Sequence, residues 1–289
     1  MLNRKYGETT LAVLTAALVT GACSHDEPPP MAPQEPDPPL NMQYVERGTL
    51  PDIGTGPLQV SAFYLGTYPV TWGEWQEVRS WAVEAGYDLE GVGRGCADDH
   101  PVVGVNWYDV VKWCNALSEM EGRTPVYRLG HAGCRLSRQV YRFGEHDDVS
   151  MVAAAGGYRL PTSAEWEYAA RGGRLSRGYA YSGGDDVNAV AWYAGNSDGA
   201  ACLNENDIGT WPVGQKDANE LGFHDMSGNV WEWCFDWFGR PGYLGHTRMQ
   251  RGGSWDYMEL GCRVHVRDIS FPGSRRVSRG FRVAASARR

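Results

Sequence analysis

Apolar residues recur at helical spacing in three places along the chain. The first begins at Thr71, where Glu74 three residues on completes a capping-box pattern and Trp72, Trp75 and Val78 share one face. The second begins at Asn106. Trp107, Val110, Val111, Cys114 and Leu117 repeat with the helical period, Asp109 sits in the first turn where the helix dipole favours an acid, and the helix ends near Gly122. The third begins at Thr162, with Glu165 as its capping partner, Trp166, Ala169 and Ala170 as its buried face, and Gly172 placed to stop it. Short strands are predicted over 59–65, 250–254 and 280–284, and pairing of the first with the last would bring the ends of the domain together. Between these elements lie 88–100, 128–157 and 182–218, which show little periodicity. Loops of this length need pins, such as disulfides, metals or buried aromatics.

The first 42 residues do not fit this pattern. Arg4 and Lys5 precede a short apolar run from Leu11 to Val19, too short to span a bilayer unaided, and Thr20-Gly21-Ala22 leads to Cys23. Residues 1–22 read as a bacterial export signal and Cys23 as a lipoprotein acylation site; plain secretion and a short membrane anchor are the alternatives. Prolines 28, 29, 30, 33, 36, 38 and 39 then make the segment up to residue 42 a semi-rigid tether, since they bar a helix interior or central strand and it lacks apolar mass for a core. The folded domain is expected over 43–287.

Composition adds two points. Twelve Trp and 37 Gly among 289 residues suggest aromatic side chains packed among turns rather than long regular elements. A net charge of −8 with no basic run argues against nucleic acid as a partner. Cysteines other than Cys23 stand at 96, 114, 134, 202, 234 and 262, with no C-x-x-C or Cys/His spacing that would suggest zinc. Exported proteins form disulfides, and the pairing is not readable from sequence.

Five stretches carry a further pattern in a fixed order: Tyr68-Pro69-Val70-Thr71 with Trp75; His100 to Asp109; Tyr158 to Gly173; Asn219 to Trp233, which contains Gly228-Asn229-Val230-Trp231-Glu232-Trp233; and Arg251-Gly252-Gly253-Ser254-Trp255 through Cys262-Arg263 to Gly280-Phe281-Arg282. Together they resemble the formylglycine-generating enzyme, or sulfatase-modifying factor, family from about residue 60 to 285. The resemblance implies a single α+β domain of the formylglycine-generating-enzyme type, C-type-lectin-like, with short helices, short strands and long loops. Family members with the oxidase activity convert a sulfatase cysteine to formylglycine, using two of their own thiolates to bind copper(I). Counting along this chain, those positions fall on Tyr257 and Cys262, and Ser254 matches the active-site serine. A phenol cannot replace a soft thiolate on copper(I), so copper is not expected here. Cys234 is the preferred disulfide partner for Cys262.

The resemblance also implies a structural calcium site, with carboxylates from Asp225 and Glu232 and backbone carbonyls from Gly228 and Val230. The alternative is a capped turn in which Glu232 bonds backbone amides. Trp107, Trp166, Trp231, Trp233, Trp237 and Trp255 are expected as core and cleft floor rather than as sugar platforms. The segment 256–279 interleaves framework residues with Asp256, Tyr257, Met258, Leu260, His265, Asp268, Ile269, Phe271, Arg276 and Val277, a mixture that resembles a binding surface. Some exported lipoproteins of this fold are variable ligand-display proteins that vary in this segment; the plainer reading is that these residues line an orphan cleft. The sequence therefore reads as an exported, lipid-anchored accessory module of the bacterial envelope, at the outer membrane or cell surface, that binds a protein or other extracellular ligand. An enzyme of a cysteine-pair-independent branch, similar to chromophore-maturing oxidoreductases, is the alternative, and residual formylglycine generation a more distant one.

Overall fold

The computed structural model describes residues 41–51, 56–130, 139–198, 209–239 and 245–287, and it is a mixed α+β fold of short elements. In chain order these are β1 (Met42–Val45), β2 (Gly48–Leu50), β3 (Leu58–Val60), β4 (Phe63–Gly66), α1 (Trp72–Glu84), α2 (Trp107–Met120), β5 (Tyr127–Leu129), β6 (Val149–Met151), β7 (Tyr158–Arg159), α3 (Ser163–Ala170) and a single turn α4 (Val187–Val190). They are followed by β8 (Trp231–Trp237), β9 (Arg248–Arg251), β10 (Arg267–Ser270), β11 (Arg279–Gly280) and β12 (Ala284–Ser286). The export signal, Cys23 and the prolines of the tether lie outside the described residues, and Met42, expected in the tether, opens β1 instead. Among the described residues no helix is long and apolar enough to cross a membrane.

Each of the expected helices starts where its capping box stands. Thr71, Asn106 and Thr162 accept from the backbone N–H of Glu74, Asp109 and Glu165, and each acid reaches back to the cap's own N–H. Two otherwise orphaned donors are satisfied at each end, which fixes the start locally. Helix α2 is buried nearly all round, and it packs on α1 by stacking Trp113 against Trp75 at 5.7 Å, with Phe281 edge-on to both.

One sheet has the order β1-β4-β12-β7 and is antiparallel throughout; Ala284 pairs with Leu65 and Ala285 with Tyr64, so the two ends of the domain meet as expected. The other has the order β10-β9-β8-β11, antiparallel except for β8 with β11. Strand boundaries differ from expectation at three points. The stretch 59–65 divides at Ser61-Ala62, sending β3 to pair with β2 and β4 with β1 and β12. The strand expected over 250–254 ends at Arg251, because Gly252 and Gly253 take φ of 97° and 76° and leave the extended region. The stretch 280–284 splits into β11 and β12, and the link between them turns Phe281 and Arg282 into the core.

The long loops are pinned largely by side chains. Trp75 Nε1 donates to the Val92 carbonyl at 3.0 Å, Lys112 Nζ reaches Asp88 at 2.6 Å, and Cys96 is disulfide-bonded, all within 88–100 or against it. The stretch 128–157 contains the unforeseen β5–β6 hairpin, held by buried Asn115, which donates to the Tyr127 and Tyr141 carbonyls and accepts from Tyr127 N–H. In 182–218, Trp192 and Trp211 stack in parallel at 3.9 Å.

Candidate functional site

The site is built where β9 runs out. After the two left-handed glycines the chain presents Ser254, fully buried, whose Oγ donates to Asp256 Oδ1 at 2.6 Å. Gly253 admits no other residue: a Cβ there would stand 2.7 Å from Cys262 Sγ. That close approach seats Cys262, in the single turn Glu259–Cys262, behind Ser254. Cys262 is completely buried, and burial pushes its thiol up to about 12, against a hydrogen bond from the Ser254 backbone N–H. The reactive and metal-binding form of cysteine is the thiolate, and this environment disfavours it.

Tyr257, the residue expected at the other thiol position, points outward. Its side chain is 42% exposed and its ring stands edge-on to Trp231 at 5.3 Å. Its backbone is tied on both sides, the N–H donating to Ser254 O and the carbonyl accepting from Ala194 N–H, each at 3.0 Å. Cys262 is thus a buried sulfur, and Tyr257 is an exposed phenol resting on an aromatic wall.

The expected partnership of Cys262 with Cys234 does not form; both are free thiols, as is Cys114. The packing explains it. Cys234 lies on β8 in the core with Trp166, Phe63 and Leu65, whereas Cys262 packs with Tyr181, Val187, Val190 and Ala191 in a separate cluster.

From Asp256 to Leu260 every residue is exposed, with Met258 at 61% and Leu260 at 48%. Phe271 is 68% exposed, and His265 and Arg276 are also exposed, while Asp268, Ile269 and Val277 are half-buried. Asp268 accepts from Gln250 Nε2, Ile269 packs on the core beside β9, and Val277 packs against Val103 and Val230.

The turn 225–232 is buried throughout and tightly wound: Asp225, Gly228 and Asn229 all have left-handed backbones, with φ of 55°, 80° and 59°. Asp225 Oδ2 accepts from Gly214 N–H at 2.7 Å, its other oxygen has only a long 3.4 Å contact from Asn229, and burial raises its carboxyl above the ordinary range. Glu232 is committed elsewhere. Arg282 donates to both of its oxygens at 2.7 Å, and Trp166 Nε1 donates to one of them at 2.7 Å. The donor set therefore fits an oxygen-liganded cation at Asp225, but Glu232 would have to share an oxygen already bonded to a guanidinium. Among the described residues no group of three or more His, Cys, Asp or Glu gathers as a metal cluster.

Of the tryptophans, Trp107, Trp166 and Trp233 are fully buried, and each indole N–H has an acceptor: Cys234 O, Glu232 and Val105 O. Trp107 and Trp237 sandwich the Arg248 guanidinium at 3.5 and 3.4 Å. Trp255 is half-buried against Gly209. Sequence reasoning missed the Trp192–Trp211 stack, capped by Lys216 Nζ at 3.9 Å from the Trp192 ring, since nothing periodic marks either residue. It also missed that the carboxylate of buried Glu167 gathers Arg251, Arg171 and Arg267. Burial opposes ionisation of Glu167, but Arg251 and the bonds from Arg171 and Arg251 hold its carboxyl below the ordinary range.

A family model described as the sulfatase-modifying factor enzyme 1-like domain matches residues 45–287, and the chain belongs to that family. Among characterised relatives, chaperone protein LppX of Paenibacillus barcinonensis is 37% identical over 227 residues, covering 74% of this chain and 75% of that one. The formylglycine-generating enzyme of Streptomyces coelicolor is 35% identical over 161 residues, 49% of this chain and 51% of that one, so the match spans about half of the enzyme. Among solved structures, CarF superposes with a TM-score of 0.71 at 27% identity, covering 86% of this chain and 99% of that one. Treponema denticola variable protein 1 gives 0.66 at 28% identity, with 85% and 95% covered.

Proposed function

We propose that this domain is a binding accessory module that engages another polypeptide through the exposed surface beginning at Asp256, and that it is not a formylglycine-generating oxidase. The observation that carries this reading is the outward run of Tyr257, Met258 and Leu260 at the place where oxidase members of the family hold a thiol pair. Large apolar side chains left exposed together favour contact with an extended apolar partner. Similarity to a protein named as a chaperone supports the same direction. Binding of a permanently unfolded, reduced and carboxymethylated polypeptide tests it. Burying Met258 and Leu260 is worth about 1.5–3 kcal/mol each, so Met258→Asp with Leu260→Asp is expected to weaken binding by about a hundredfold or more. Binding that survives the double substitution unchanged contradicts the reading.

The module is placed at the bacterial envelope by export and acylation at Cys23. The basis is the charged and apolar leader, its small residues before Cys23, and the proline-rich spacer after it. Native protein is expected in the detergent phase with a lipid-sized increment on its N-terminal peptide; a soluble protein with unmodified Cys23 removes the anchor from the account.

Calcium would be held by Asp225 with the carbonyls of Gly228 and Val230, Glu232 contributing by sharing an oxygen with Arg282. Hard oxygen donors suit this ion, which would here serve structure alone. Excess calcium is then expected to raise the melting temperature and a chelator to lower it, with Asp225→Ala erasing the difference. Equal melting with and without chelator means that the Arg282 pairing alone holds the turn.

A further inference from the structure

The loop 91–94 and segment 275–277 line a cleft of about 340 Å3. Its walls carry Arg94, Arg275 and Arg276 together with Gly91, Gly93 and Gly104, and no carboxylate lines it. Arg275 is committed: it holds Asp109 through two bonds of 2.9 Å, with Glu145 further off at 3.9 Å. Arg276 is exposed and pairs with no carboxylate among the described residues. Buried Arg279 senses the surplus charge. Its guanidinium is pushed down to about 10, first by burial and then by Arg276, against a smaller pull from Asp268 and Asp256. A further guanidinium, Arg79, bonds the Val92 carbonyl at 2.9 Å.

The walls are also fixed. Gly93 has φ of 84°, and a Cβ there would meet the Trp75 indole nitrogen at 2.6 Å, so position 93 tolerates no side chain. Arg94 and Val103 exchange backbone bonds of 2.8 Å in both directions, and Gly104 N–H donates to Arg276 O at 2.9 Å, joining one wall to the other. A rigid concave site with cationic walls and no acid of its own is preorganised for a negatively charged group, and planar guanidinium forks match oxyanions in geometry.

We infer that this cleft binds the oxyanion of a small ligand, a sulfate, phosphate or carboxylate group, with Arg276 as its principal donor. The inference does not rest on the polypeptide reading, and either can fail alone. It is tested by calorimetric titration of the full chain with sodium sulfate, sodium phosphate and sodium acetate at constant ionic strength. Saturable binding of at least one anion is expected, and the anion preferred identifies the chemical source. Losing a charge-assisted pair costs about 1.5–3 kcal/mol, so Arg276→Gln is expected to weaken that binding by about tenfold or more. Its melting temperature in chloride should be unchanged, because the side chain bonds no described neighbour. Sulfate and phosphate also stabilise proteins by exclusion from their surface, and that effect is the same in both proteins. Absence of saturable heat with all three anions overturns the inference, as does an affinity that Arg276→Gln leaves intact.

Discussion

Replacing Arg282 with methionine is expected to lower the melting temperature by roughly 6–20 °C. Arg282 is fully buried and is the hub between the two sheets' elements. Its Nε and Nη2 bind Glu232, while Nη1 and Nη2 also cap the carbonyls of Gly66, Thr67 and His224. Methionine fills much of the volume and removes every donor. Glu232, itself completely buried, would keep only the Trp166 indole N–H. Stripping one partner from a buried pair costs about 3–5 kcal/mol, because the remaining charge has no water to return to. For a domain of this size each kcal/mol is worth about 2–4 °C. The matched change Glu232→Gln with Arg282→Met removes both charges and should recover part of the loss. A single substitution that melts within a degree of the parent would show that the pair is not holding the sheets together.

That hub explains why some of this fold is legible in the sequence and some is not. Capping boxes are made by residues three apart, so Thr71 and Thr162 announce their helices without tertiary information, as the apolar period does for the helix after Asn106. The β4–β12 pairing follows from two apolar strands at the ends of one domain. In contrast, Arg282 meets Glu232 fifty residues away and meets Gly66 216 residues away, and no local pattern records either. The same limit accounts for Glu232, whose carboxylate sits in a motif associated with calcium yet is bonded to a guanidinium supplied from the far end of the chain. Cys234 and Cys262 failed as a pair for a related reason: nearness in the motif order does not place them in one cluster. Trp192 and Trp211 belong to a stretch with no period, so only their stacking identifies them. The exposed run Asp256–Leu260 was visible as an unusual mixture, and its outward direction needed the turn that Gly252 and Gly253 create.

We propose that Asp256–Leu260, where the oxidase thiol pair is expected, serves binding and not oxidation. The reaction of the oxidase members requires two soft sulfur ligands on copper(I), and a hard, neutral phenol is a poor substitute. Tyr257 is half in solvent and packed on Trp231, and burial holds the Cys262 thiol against ionisation. Cys234 cannot lend the second sulfur, since it lies in another core cluster. The most direct measurement is mass spectrometry of a sulfatase-type cysteine peptide incubated with the purified protein, copper(I) and oxygen. The peptide is expected to keep its thiol through many turnover times of an active enzyme, while Met258 and Leu260 continue to bind unfolded polypeptide. Appearance of the aldehyde product at catalytic yield, lost again in Cys262→Ser, would contradict it.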